Sequence, residues 1–274
     1  MFRFVIRNIA KFILLMVAVS LVTFVLVSVS PIDPVQANVG QAAYVNMSEA
    51  KRAQLAEYWG VNTPLWERYA NWFGDLLHGD LGTSLRFNAP VADVIATRAV
   101  NSLALMATAW VVSGVLGFGL GILAGANRGR PIDRIVKGYC FLLASVPTFW
   151  LGLVFLIVFS VWLGWFPFGF SVPIGVSAAD VTLADALHHL ALPALTLQFA
   201  SISEIFGGSV LVEQVFSYPG LGQAAVTAGL GGDVALLAGI ALFSAAFVFG
   251  GNLVANVLYG VVDPRMRKGA KVHA

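Results

Sequence analysis

The chain has 274 residues, of which 58% are hydrophobic and only 11% charged. Soluble domains carry about 25% charged residues, so the composition excludes a soluble globular protein and points to a polytopic membrane protein. A net charge of +2 is too small to suggest a nucleic-acid partner, and the single cysteine, Cys140, excludes an internal disulfide or a cysteine-based metal site.

Residues 9–29 are almost wholly apolar and follow Arg3 and Arg7. About 20 residues at 1.5 Å rise cover the hydrocarbon core. The run is long, and no small-x-small cleavage site follows it, so it reads as a retained first span rather than a signal peptide. Residues 30–98 are polar and mixed, and form an external segment. Ser48 opens a short amphipathic helix that Gly60 stops. Pro64 sits at the first turn of the next helix, where Trp66, Tyr69, Trp72 and Phe73 recur at helical spacing. That stripe is expected to pack on the membrane surface or on the bundle.

Residues 99–126 form the second span. Gly117, Gly121 and Gly125 stand four apart on one helix face, a spacing that lets helices approach closely in lipid. A short basic loop, 127–137, follows. The third span covers 135–163, with a kink expected at Pro147 and with Trp162 and Trp165 at the far interface. Residues 164–187 hold no Lys or Arg. The stretch 190–214 is apolar, yet carries Pro193, Glu204 and a Gly207-Gly208 pair. The last span is 236–262, with Asn252 and Asn256 on one face.

Cytoplasmic loops are enriched in Lys and Arg. The start, the 127–137 loop and the tail are basic, whereas 164–187 and 216–232 contain neither residue. Those charges agree only with an even number of crossings, so they favour four spans plus a re-entrant 190–214. The length of 190–214 favours a fifth span, and the two signals disagree. The expected fold is all-α: a polytopic membrane helical bundle of four to five transmembrane or re-entrant helices plus an external amphipathic segment. Its divisions are 1–29, 30–98 and 99–274.

The C-terminal part, "VEQVFSYPGLGQ…NVLYGVVDPR", resembles ABC importer permeases of the oligopeptide, dipeptide and nickel class. The matching positions are Glu213, Val215, Phe216, Pro219, Gly220, Leu221, Gly222, Asn252, Tyr259, Asp263, Pro264 and Arg265. "SPIDP", "YANWFGDLLHGDLGTSL" and "ASVPTFWLGL" resemble further family stretches. The resemblance implies the translocation pathway of a binding-protein-dependent importer for short peptides, nickel or a nickel chelate. It also implies a second permease subunit, cytoplasmic ATPase subunits and an extracytoplasmic substrate-binding protein. The family form has six spans and an ATPase-docking Glu-Ala-Ala…Gly loop. Here "LADALHHLALPALTL" passes directly into the later helix, so one helix and that loop are missing. A shortened, uncoupled relative acting as a scaffold is therefore the alternative.

No Gly-x-x-x-x-Gly-Lys-Ser/Thr loop occurs, so ATP is expected on partner subunits, with no cofactor in this chain and no catalysis of its own. Intramembrane polar groups default to function, which singles out Gln198, Glu204, Asn252 and Asn256 as pathway candidates. Arg128, Arg130, Asp133 and Arg134 are candidates for ATPase contact, and Tyr218, Pro219 and Gly220 for binding-protein contact. Asp185, His188 and His189 form the one close metal-type cluster. Adjacent histidines on a helix point about 100° apart, so they read as interfacial polar residues.

Overall fold

The computed structural model describes residues 2–176, 180–198 and 205–262, with side chains described for these save 2–5, 144, 205–208 and 256–262. The chain divides into two compact units. One comprises Met1–Ile95 with Thr227–Ala274, and the other Ala96–Val226. These units cut across the sequence divisions, because the last helix belongs with the first.

The first unit is built on α1 (Phe2–Val29) and α12 (Val234–Val262), which pack along each other. The Phe12 and Phe249 rings meet at 5.2 Å. Ser20, buried inside α1, donates to the Val17 carbonyl and shares a 2.9 Å hydrogen bond with the Tyr69 hydroxyl. The external segment folds into α2 (Pro34–Val39), α3 (Gln41–Asn46), α4 (Glu49–Tyr58) and α5 (Leu65–Leu77). Asp33 caps α2 by accepting from the Val35 and Gln36 amides, with Pro34 in the first turn. Ser48 caps α4 as expected, accepting from the Lys51 amide, and Gly60 follows its end at φ +65°. Pro64 stands one position earlier than expected, just before Leu65. Three residues of the aromatic stripe turn inward: Tyr69, Trp72 and Phe73 cluster with Phe24, Val234 and Ala238. Trp66 is 72% exposed. After α5, a minimal antiparallel hairpin pairs β1 (Thr83–Ser84) with β2 (Ala89–Pro90).

In the second unit, α6 (Val91–Ala126) enters from the first and runs on as its longest helix. It starts eight residues before the predicted second span, so its first two turns come from the external segment. Then come α7 (Pro131–Ala144) and α8 (Thr148–Phe155), with the axis turning by 103° at the break around Pro147. This is the expected kink, sharpened into a break, because proline cannot donate and clashes with the preceding turn. Past α8 the helix widens into π geometry over Leu156–Trp162. The helices α9 (Leu183–Leu197) and α10 (Ile205–Val215) pack with α8 around Leu105, Leu190, Leu192, Leu197, Val212 and Phe216. Helix α11 (Leu221–Leu230) occupies the middle of the stretch read from sequence as the 216–232 loop, and carries the chain back toward the first unit.

Among the described residues, three helices are long and apolar enough to cross a membrane: α1, α6 and α12. The bent α7–α8 pair makes a fourth if it is counted as one span. The stretch 190–214, over which the two expected counts differ, runs through residues 199–204, which lie outside the described residues. Within 190–214, α9 ends at Leu197 and α10 begins at Ile205. Neither helix by itself has the 18 residues counted here as a span.

Candidate functional site

The polar residues of the second unit converge where α10 turns into α11. Helix α10 ends in a Schellman arrangement: the Ser217 amide donates to Gln214 O and the Tyr218 amide to Glu213 O. Ser217 takes the left-handed position, at φ +47°. The chain then closes around the Glu213 side chain, which is fully buried. Its carboxylate accepts from the Ser102 hydroxyl at 2.6 Å and from the Gln223 amide at 3.0 Å. The Ser102 oxygen in turn accepts from the Leu221 amide at 2.8 Å. These amides belong to the first turn of α11, whose N–H groups have no partner inside the helix. Glu213 and Ser102 therefore cap α11 from other helices, and a negative charge is favoured at that end.

The glycines of the Pro-Gly-Leu-Gly run follow from this. A Cβ on Gly220 would fall within the Glu213 carboxyl group. One on Gly222 would lie 2.7 Å from the Val210 Cα. Two further bonds tie the turn to α6: Asn101 Nδ2 donates to Pro219 O at 2.8 Å, and Arg98 donates to Gln223 Oε1 at 3.0 Å. The sequence motif thus encodes a polar lock between α6, α10 and α11. Reading by residue type identified Glu213 only as part of a motif, and missed Arg98, Asn101, Ser102 and Gln223. The signal of Arg98, Asn101 and Ser102 is tertiary, since they lie over a hundred positions from their partners, and Gln223 acts through its contact with Arg98.

Of the three residues chosen for binding-protein contact, Tyr218 is 4% exposed, Gly220 is buried and Pro219 is half-buried. Their visible work is closing the turn, and the exposed residue there is Ser217.

The four residues chosen for ATPase contact lie together where α6 gives way to α7, Arg128 and Arg130 in the connecting turn and Asp133 and Arg134 in the first turns of α7. Asp133 is almost fully buried, and accepts from the Gly129 amide and from Lys137 Nζ, both at 2.9 Å. It fixes the turn, while Arg128, Arg130 and Arg134 are all exposed.

The intramembrane candidates are dispersed. Gln198 ends α9 and is half-buried, and Asn252 is exposed on α12. Asn256 lies in α12 with its side chain outside the described residues, and Glu204 lies outside them altogether. The Asp185, His188 and His189 cluster is divided among other tasks. Asp185 forms a capping box with Thr182, whose hydroxyl and amide hold its carboxyl below the usual aspartate range. His188 Nε2 meets Trp165 O and His189 Nδ1 meets Gly169 O, each at 2.8 Å. A carbonyl only accepts, so those two nitrogens carry the hydrogens. Among the described residues, no group of three His, Cys, Asp or Glu could hold a metal.

With this geometry in hand, likeness to known proteins is extensive. The model of the "Binding-protein-dependent transport system inner membrane component" family matches residues 117–179 and 174–268. The corresponding N-terminal membrane component model matches residues 1–106. The oligopeptide transport system permease protein AppB of Bacillus subtilis is 28% identical, over 97% of this chain and 99% of its own length. The glutathione transport system permease protein GsiC of Escherichia coli K12 is 30% identical, over 97% and 99%. The AppB alignment spans 323 positions against 274 residues here, so that relative has a segment with no counterpart in this chain. The family model matches in two stretches that meet at 174–179, where the sequence passes straight from the third span toward the later helix.

Proposed function

Since this chain belongs to the binding-protein-dependent transport inner membrane component family, and is a multi-pass permease component of an ABC importer in the cell membrane, we propose that it forms one side of a translocation pathway for short peptides. One observation carries the reading: a likeness that runs along nearly the whole chain to permeases named for oligopeptides and for glutathione. Nickel, which the resemblance allowed, gains no support from either name.

The proposed partners are a second permease subunit, ATPase subunits that bind the ATP, an extracytoplasmic substrate-binding protein and the surrounding bilayer. The exposed arginines of the 127–137 turn are the proposed ATPase-facing surface. The turn is held by Asp133 and carries three exposed arginines. The test is co-reconstitution with an ATPase, a partner permease and a binding protein from the same source, with ATP-dependent uptake of labelled tripeptides as the readout. Uptake that stops when Arg128, Arg130 and Arg134 are changed to Glu supports both proposals. Absence of uptake by an intact assembly sinks the first.

A second reading is a shortened, uncoupled scaffold. The two-stretch family match and the longer relative favour it. Affinity purification separates the two: an importer permease brings an ATPase with it, and a scaffold does not.

A further inference from the structure

Helix α5 carries three stripes of residues. Tyr69, Trp72, Phe73 and Leu76 face inward, onto Phe24, Val27 and the first turns of α12. Glu67, Asn71 and Asp75 stand four apart on a second stripe and are exposed. Trp66, Ala70 and Leu77 fall on a third, at positions i, i+4 and i+11, next to the inward one and away from the two carboxylates. Trp66 and Leu77 are each 72% exposed. The apolar arc of α5 is therefore wider than the part that the bundle covers.

The height of α5 on α1 says what covers the open stripe. Arg7 and Lys11 mark the cytoplasmic end of α1, and Val29 its outer end. The Tyr69 hydroxyl is bonded to Ser20, and the Phe24 ring lies 5.3 Å from the Tyr69 ring and 5.8 Å from the Trp72 ring. Ser20 and Phe24 stand about 14 and 8 Å below the outer end of α1, at 1.5 Å per residue. Half the hydrocarbon core is about 15 Å, so both contacts lie within its outer half. Over the same stretch α1 exposes Leu21, Val22, Val25, Leu26 and Val29, and as a membrane span it turns them to lipid. The open stripe of α5 stands at the depth of a surface that acyl chains already cover.

We infer that α5 is an interfacial helix of the outer leaflet. Trp66, Ala70 and Leu77 sit at the boundary of headgroups and acyl chains, and Glu67, Asn71 and Asp75 turn to water. Such helices sink about 5–10 Å into that boundary, which matches the level of Phe24. Tryptophan suits the place, since its ring is apolar and its N–H reaches a polar partner. The stripe has no charge, so its partner is the apolar surface of the leaflet rather than a particular headgroup. Held there, α5 sets the level at which the external segment leaves the bilayer.

The experiment measures depth with nitroxide labels. Cys140→Ala removes the one native thiol, and labels are attached to Trp66→Cys, Leu77→Cys, Glu67→Cys and Asp75→Cys variants of the full chain in liposomes. Collisions with oxygen, which gathers in lipid, and with a neutral water-soluble paramagnetic chelate are recorded for each. The ratio of oxygen to chelate access should be several-fold higher at positions 66 and 77 than at 67 and 75. All four positions are exposed, so the variants should keep the parent thermal midpoint. Positions 66 and 77 report the same stripe separately, should one variant fail to fold. Free chelate access at 66 and 77 overturns the inference, since the stripe then faces water. Poor access of both reagents overturns it too, since protein then covers the stripe. The labels are read again with the subunits that co-purify. An unchanged ratio sustains the lipid contact, and oxygen access lost only in their presence assigns the stripe to a subunit and overturns it.

Discussion

Two helix-to-helix turns, fifteen residues apart, solve the same problem by different means. Between α11 and α12, Gly232 takes the left-handed position at φ +64°, and the Asp233 amide closes a Schellman turn on Ala228 O. Asp233 then caps α12 by accepting from the Leu236 amide at 3.1 Å. It also binds the hairpin through the Ser84 hydroxyl at 2.6 Å and the Arg86 amide. Between α10 and α11 the same turn is made with Ser217 in place of glycine, and Gly220 stands where a capping side chain would be. Glu213 and Ser102 fill that role from a distance. The first turn is a local device reinforced by tertiary contacts. The second exists only once α6 and α10 are in place.

The contrast is sharpest at Gly220, where the largest effect is expected. Gly220→Val drives a branched side chain into the Glu213 carboxyl. Overpacking costs about 1–3 kcal/mol or more, and the permease should lose its monodisperse peak in detergent. Gly220→Ala should recover partly when combined with Glu213→Ala; strictly additive losses would deny the contact. Next, Glu213→Ala removes the acceptor for the α11 amide and the Ser102 hydroxyl. At about 1–3 kcal/mol per stranded group, it should lower the thermal midpoint clearly more than Glu213→Gln, which keeps an acceptor. If the two variants unfold alike, the distant cap is not what stabilises the turn. Asp233→Ala should cost less, about 1–2 kcal/mol for a lost cap, and Asp233→Asn should restore most of it.

Two small effects complete the comparison. Ser217→Gly relieves a left-handed serine and should raise the midpoint by the equivalent of about 1 kcal/mol, whereas Gly232→Ser should lower it. The Thr182–Asp185 capping box gives a pH signature. Its carboxyl is depressed in the folded state. The contribution is therefore present above the ordinary aspartate range, and fades as pH falls through the lower folded value. Thr182→Ala should remove that acid-side slope from the unfolding midpoint, and an unchanged slope would reject the assignment.

Much of this was legible in the residues. The three long apolar helices, the Ser48 cap, the break at Pro147 and the inward aromatic stripe all follow from local pattern. So does membership of the permease family, since the Glu213-to-Gly222 motif stands within one short stretch. Other features were not. The 216–232 stretch, free of Lys and Arg, was read as a loop between spans, yet α11 forms there, with its caps coming from α6 and α10. Tyr218 and Gly220 read as surface turn residues and are buried, because the turn folds onto Glu213 rather than outward. The start of α6 was placed late because Val91–Arg98 is too polar to read as a span, although nothing in it breaks a helix.

The sequence by itself determined that the chain lives in the membrane, where its long helices begin and end to within a few turns, and which turns close with Gly, Asp or Ser. These follow from hydrophobic length and from caps whose partners lie within about four residues. Only the tertiary structure decided that the first and last helices share one unit and that the motif glutamate caps another helix. Each depends on contacts between residues far apart in the chain, and no local period or propensity encodes such meetings.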